Sequence, residues 1–295
     1  MKKNAFLSIL VLLVFIGLSS AALANGHGQK RPTKKGILLV AFGTSVPKAQ
    51  IAFQHIEERV KAVYPGIPVR WAYTSSMIRK KLARQGQYLD SPEMALAKMM
   101  DEGFTHVAVQ SLHTIGGHEF HDLRRNAHAF ANMAGGFERI QVGNPLLATQ
   151  KDLLRVTDAI IKHIPQTRKR EDAVVLMGHG STHPSNAFYT AMMYHFQQKD
   201  PNIFVGTVEG APGIEDIKNI LIQKKTKKAY LMPLMSVAGD HAKNDMAGDE
   251  EDSWKSILNK AGIECIPVLK GTAEYSEIVD IWVDHLGIIL SRINK

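Results

Sequence analysis

The side chains in this sequence best suited to hold a metal ion are two histidines and a glutamate, each placed where an apolar run gives out. His179 stands in "VVLMGHGSTHPSN" (174–186), Glu209 closes "NIFVGTVE", and His241 follows the short loop "SVAGD". Two imidazoles and a carboxylate suit a borderline divalent cation such as Co2+, Fe2+, Ni2+ or Zn2+. A lone histidine at such a place would ordinarily cap the strand through its own hydrogen bonds, but three donors in equivalent positions favour a site over that reading. Gly178 and Gly180, flanking His179, let the chain turn sharply and let a flat ligand approach the ring. "GHGST" fits neither familiar glycine motif. Ser181 follows the second glycine, where a G-x-S-x-G elbow needs it between the two, and His183 stands where G-x-G-x-x-G needs its third glycine. Serine hydrolysis and a phosphate loop are thereby set aside.

These donors need strands to carry them, and the chain supplies strands alternating with helices. "GILLVAF" (36–42), "IPVRWAY" (67–73) and "THVAVQSL" are apolar runs, separated by "VPKAQIAFQHIEERVKAVY" and "SPEMALAKMMDEG", which have helical spacing. After Arg170 the order recurs as "AVVLMGH" (173–179), "PSNAFYTAMMYHFQQ", "NIFVGTV" (202–208), "GIEDIKNILIQKK" and "KAYLMPLM" (228–235). Apolar runs without alternation, spaced by helices, predict parallel sheets covered on both faces. The halves also match in register. "ILLVAFGTS" (37–45) over "VVLMGHGST" (174–182) sets Phe42 on His179, and "HVAVQSLHTIGGHE" (106–119) over "KAYLMPLMSVAGDH" (228–241) sets Gly117 on Gly239 and Glu119 on His241. Duplication of one α/β unit is expected, giving two lobes with a cleft between them and ligand donors beyond the strand ends. The boundary is expected in the polar segment "KHIPQTRKRED" (162–172), dividing an N-terminal lobe, 25–165, from a C-terminal lobe, 166–295, that carries the metal site.

Residues 1–24 read as a secretory signal peptide. A lysine pair precedes an apolar run too short for a membrane span, and Ala22-Leu23-Ala24 has the form of a cleavage site. A periplasmic location is expected, with no membrane span after cleavage. Formal charge is 36 − 28 = +8, and removal of Lys2 and Lys3 leaves +6. That field suits acidic small molecules, but the basic residues are scattered without interleaved aromatics, so nucleic acid is not an expected partner. Cys265 is the only cysteine and excludes an intrachain disulfide. Met192, Met193, Met232 and Met235 read as core filling.

Taken together, "GILLVAFGTSVPKA", "MGHGSTHPSN", "GTVEGAPG" and "LMPLMSVAGDHAKNDMAG" resemble the anaerobic sirohydrochlorin cobaltochelatases of the CbiK type, relatives of ferrochelatase, over everything after the leader. The resemblance implies two flavodoxin-like lobes holding the tetrapyrrole between them. It implies that His179 and His241 bind the incoming metal, that Glu209 serves as ligand or proton acceptor, and that Co2+ is inserted into sirohydrochlorin, with Fe2+ as a second metal. Imidazoles, with an ordinary pKa of about 6.5, suit both metal holding and proton traffic near neutrality. Candidate partners for the substrate's carboxylates are Arg79, Lys80, Lys81 and Arg84, with Lys48 and Lys243 near the strand ends; the alternative for "RKKLAR" is a solvated helix face.

Two features depart from that pattern. The leader is expected to export a protein of a family whose members act where tetrapyrroles are made, which leaves a periplasmic metal- or haem-binding protein on a chelatase scaffold as the alternative function. In "HTIGGHEFHDLRRNAHAF" (113–130), a helix from about Glu119 would put His121, Arg125 and His128 on one face beside Arg124. That face is a candidate second-metal or haem site, with His121 as axial ligand and Arg125 meeting a propionate, against the plainer reading of a polar helix surface. On the surface, such a site could join copies into a homo-oligomer.

Overall fold

Strand β1 (Lys35–Ala41) shows why the apolar runs do not alternate. Ile37, Leu39 and Ala41 pack on one side of the sheet and Leu38 and Val40 on the other, and none is more than 1% exposed. In this computed structural model, which describes residues 31–295, β1 lies between β2 (Val69–Tyr73) and β3 (His106–Ser111), with β4 (Arg139–Gly143) outside β3. A second sheet sets β5 (Ala173–Gly180) between β6 (Ile203–Glu209) and β7 (Lys228–Pro233), with β8 (Glu264–Pro267) outermost. All pairings are parallel. The strand orders 2-1-3-4 and 6-5-7-8 are one winding used twice, which bears out the expected α/β fold of two flavodoxin-like lobes related by duplication. Two of the edge strands are weak in sequence, since β4 carries Arg139 and Gln141 and β8 has four residues. The signal peptide expected over 1–24 lies outside the described residues.

Nine α-helices lie among the described residues. Four of them, α1 (Ile51–Val63), α5 (Gln150–Lys162), α6 (Ala187–Lys199) and α9 (Ser276–Ile293), fill the space between the sheets. Their apolar stripes meet Ile37, Leu39 and Ala108 from one sheet and Val174, Leu176 and Val205 from the other in one continuous core. Trp282 of α9 and Tyr189 and Phe196 of α6 are among its largest fully buried side chains; each such burial contributes roughly 1.5–3 kcal/mol. The outer face of the first sheet is covered by α3 (Pro92–Asp101) and α4 (His118–Ala131), that of the second by α7 (Ile214–Gln223) and α8 (Trp254–Lys260). Helix α3 starts as its Ser-Pro-Glu sequence predicts, with Ser91 Oγ accepting from the Met94 amide. The short α2 (Ser76–Ala83) follows β2 at the cleft.

The two sheets are built from separate stretches of chain, β1 to β4 and β5 to β8, but the chain does not stay with its own sheet. The last helix, α9, packs on β3, β4, α5 and α1 of the first lobe. The core between the sheets has apolar area from both lobes to cover, and a long helix buried along most of its length covers it from either side. Among the described residues no helix is long and apolar enough to cross a membrane.

The start of α9 is tied to the end of α5 by charge. Glu277, in the first turn of α9, accepts from Lys162 Nζ and lies 2.9 Å from His163 Nε2, so each helix end carries the charge its dipole favours. Those two hydrogen bonds hold the Glu277 carboxyl down to about 2. A depressed pKa means that ionised Glu277 favours the folded state above the ordinary carboxylate range, a contribution lost as pH falls from about 4.5 toward 2. Because the pair is more than one-third exposed, Glu277→Gln should cost only about 0.5–1 kcal/mol near pH 7. Thermal melts of both proteins across pH should show the difference shrinking below about 4.5.

Candidate functional site

The carboxyl ends of the two sheets face each other across a cavity of about 490 Å³, within the roughly 300–1,000 Å³ typical of small-molecule sites. His179, Glu209 and His241 line it together with Phe42, Ile78, Ile115, Tyr189, Met235 and Val237, so the walls are mostly apolar around a few polar groups. The three donors expected from sequence therefore reach one chamber.

Two of them meet directly. The His179 and His241 rings stand 4.7 Å apart, centre to centre, at 89° to each other. His179 Nδ1 is 3.2 Å from the Gly180 carbonyl, which only accepts, so Nδ1 donates there and Nε2 is the ring nitrogen left outside that bond. His241 Nδ1 is held by the Asp245 carboxylate from the next helical turn, with the same result. The turn that places Asp245 is the π-helical segment Ala242–Met246, which follows His241 directly. Glu209 ends β6 beside Gly180 and is exposed to the cavity. Among the described residues no three histidine, cysteine or carboxylate side chains stand close enough to enclose a metal ion. The two imidazoles make half a coordination sphere, open toward the cavity.

Gly180, at φ +85°, makes the sharp turn expected beside His179, but the space around the two glycines is not left for a ligand. A Cβ on Gly178 would stand 2.3 Å from the Tyr189 ring, so that space is filled by α6 and not by a ligand. Gly180, at φ +85°, would put a Cβ 1.6 Å from the Glu209 carbonyl oxygen. Both glycines let β5 press on its neighbours, which fixes the height of His179. Tyr189 lies buried beneath this strand end, its phenol pushed up to about 12 by burial against the opposing effect of the Gly180 and His179 backbone.

The opposite wall holds a pair that was not expected. His113, past the end of β3, has Nδ1 2.8 Å from Ser111 Oγ and Nε2 3.0 Å from Glu119 Oε2, and Thr74 Oγ1 donates to the same carboxylate oxygen at 3.2 Å. Burial alone would raise the Glu119 carboxyl; the His113 hydrogen bond and field, with Thr74 and then His179 behind them, more than offset it and hold Glu119 below the usual carboxylate range. Glu119 is thus an ionised base facing the histidine pair. The internal repeat carried this signal, because it aligns Glu119 with His241.

His121, Arg125 and His128 do share an exposed face of α4, as their spacing predicts. His121 nonetheless associates elsewhere. Its ring is 5.0 Å from that of His183 in the second lobe, and His118, which lines the cavity, is also 5.0 Å from His183, so three imidazoles gather beside it. Desolvation and the fields of His118 and His121 push His183 below the ordinary histidine value. Arg125 is engaged by Asp122 at 2.6 Å.

Comparison with known proteins gives this geometry relatives. The cobalt chelatase (CbiK) family model matches residues 35–290. The chain is 45% identical over 262 residues to the sirohydrochlorin cobaltochelatase CbiKC of Nitratidesulfovibrio vulgaris, covering 89% of this chain and 93% of that one. It is 37% identical over 255 residues to the sirohydrochlorin cobaltochelatase of Salmonella typhimurium, covering 86% and 95%. Among solved structures it shares its fold with the sirohydrochlorin chelatase SirB of Bacillus subtilis subspecies spizizenii in complex with cobalt, at a TM-score of 0.59 and 16% identity over 88% of this chain and 97% of that one.

The packing at Gly180 is open to test without any ligand. Gly180→Ala combines a left-handed φ with a backbone clash and should destabilise by about 2 kcal/mol or more, read as a fall in melting temperature. A melting temperature within a degree of wild type would mean that β6 yields easily at Glu209.

Proposed function

The chain belongs to the cobalt chelatase (CbiK) family, and we propose that it inserts Co2+ into sirohydrochlorin in the periplasm, with Fe2+ as a second metal. The observation that carries this reading is the orthogonal His179–His241 pair, each Nδ1 engaged, on the wall of a cavity of about 490 Å³ between the lobes. The names of the Nitratidesulfovibrio and Salmonella relatives support the metal and the macrocycle. Histidine and carboxylate donors also accept Fe2+, which supports the second metal. The lysine pair, apolar run and Ala22-Leu23-Ala24 of the leader support the location.

Insertion exchanges two pyrrole N–H protons for one divalent cation. A protein that performs it must hold the cation firmly enough to strip some water and loosely enough to release it. Two Nε2 lone pairs do that, and Glu209 at the neighbouring strand end supplies charge as the cation passes. The released protons need an acceptor on the other side of the macrocycle plane. Glu119, kept ionised by His113 on the facing wall and partly open to solvent, takes that role for the two protons in turn, passing each to water before accepting the next.

A second reading concerns the rim cluster. The exposed His121 imidazole, 5.0 Å from His183, suits an axial ligand to haem iron or a ligand to a second divalent ion, with Arg124 and Arg125 on the next turn to meet carboxylates. Its place on the surface suits contact with another copy of the chain.

His179→Ala and His241→Ala should each abolish cobalt insertion, followed as the change in the sirohydrochlorin absorption spectrum at catalytic protein concentration. Glu119→Gln should lower kcat about 100-fold or more while leaving Co2+ binding measurable by calorimetry. Near-normal turnover in any of the three would overturn the assignment, and a spectral change limited to one equivalent of protein would indicate a carrier. Protein purified from a periplasmic extract should begin near Asn25, and its visible spectrum should show a haem Soret band that disappears in His121→Ala. A cytoplasmic protein retaining Met1 would remove the export proposal, and a colourless one the haem.

A further inference from the structure

The duplication of the lobes is repeated in two contacts across the cleft. A Cβ on Gly117 would stand 3.8 Å from Ser181 Oγ, and one on Gly239 would stand 3.3 Å from Thr44 Oγ1. The next residues meet as well, Thr182 Oγ1 with His118 Nε2 at 3.4 Å and Ser45 Oγ with Asp240 Oδ2 at 3.5 Å. Each lobe thus sends the loop after its first strand to the loop after the other lobe's third strand. The two contacts differ in charge. Lys81 Nζ, on α2, stands 3.5 Å from the same Asp240 oxygen, making the second contact an ion pair.

Asp240 lines the cavity, and so do Met77 and Ile78, one turn before Lys81 on α2. The ammonium therefore sits at the rim, with apolar wall behind it. Of the six basic residues that the sequence offers for carboxylate binding, Lys81 is, among the described residues, the one ion-paired to the cavity wall. Its side chain is 54% exposed and that of Asp240 47%. An ion pair in that setting is weak and exchanges readily.

We propose that Lys81 is a receptor for a carboxylate of the macrocycle and that Asp240 holds it in reserve until the substrate arrives. Entry then trades an inter-lobe ion pair for a substrate ion pair. Charge is conserved in the exchange, and the Ser45–Asp240 side of the rim is freed to part. The device selects for carboxylated macrocycles, because a ring without acidic arms leaves the Lys81–Asp240 contact closed. This inference rests on the reading of the cavity as a tetrapyrrole site.

The test is a titration of the mature protein with sirohydrochlorin, read by absorbance and repeated at rising salt. Lys81→Gln should raise Kd about five- to tenfold at low salt, the effect of losing one half-exposed ion pair, and should flatten the salt dependence. Asp240→Asn should act in the opposite direction, lowering Kd a few-fold because the competing carboxylate is gone while the amide still meets Ser45. KM should follow Kd in both variants. Opposite signs separate this role from a structural one, since a damaged rim would weaken both variants. A Kd for Lys81→Gln equal to wild type, or weaker binding by Asp240→Asn, would overturn the inference and leave the chelatase reading standing. Absence of turnover by the wild-type protein would instead remove that reading.

Discussion

One apolar layer holds this molecule in register. The stripes of α1, α5, α6 and α9 are buried simultaneously against two sheets, so neither lobe completes its core without the other. The carboxyl ends of β1 and β3 are thereby fixed opposite those of β5, β6 and β7, and the cavity is what remains where the helical layer stops. Its polar groups can be few because the apolar contacts behind them determine the geometry. The crossing of α9 back to the first lobe belongs to the same constraint.

Within that frame the two lobes have diverged while keeping their positions. Where the second lobe has His179, the first has Phe42, with ring centres 6.0 Å apart across the cleft. Where the second has His241, held by Asp245, the first has Glu119, held by His113 and Thr74. Duplication supplied two equivalent sets of strand-end positions. One set now carries two imidazoles beside Glu209 and the other a carboxylate held by His113, a division that suits the proposed exchange of a cation for two protons.

The incompleteness of the donor set around His179 and His241 suits the proposed chemistry. A closed set of three or four protein ligands would hold a divalent ion as a structural site does. Two histidines with fixed tautomers, a carboxylate on an adjoining strand and an open side leave coordination positions for water and for pyrrole nitrogens. The carboxylate holding His241 fixes the orientation of the ring.

Much of this was legible before any coordinates. Unbroken apolar runs at a regular spacing required parallel sheets covered on both faces, and the matched halves required the same winding twice. His179, Glu209 and His241 could be singled out because strand ends are where such folds bind ligands, and strand ends are visible as the place where an apolar run stops. The assembly of contacts between lobes was not visible, because side chains distant in sequence meet only once the shared core has set the lobes at a distance and an angle. That is why Lys81 on Asp240, His118 and His121 around His183, and the first-lobe packing of α9 emerged from the fold alone. The glycines beside His179 mark the same boundary. Their type announced a crowded backbone, but whether a ligand, the Tyr189 ring or the Glu209 carbonyl did the crowding was decided by tertiary packing, since a missing Cβ records that space is occupied and not by what.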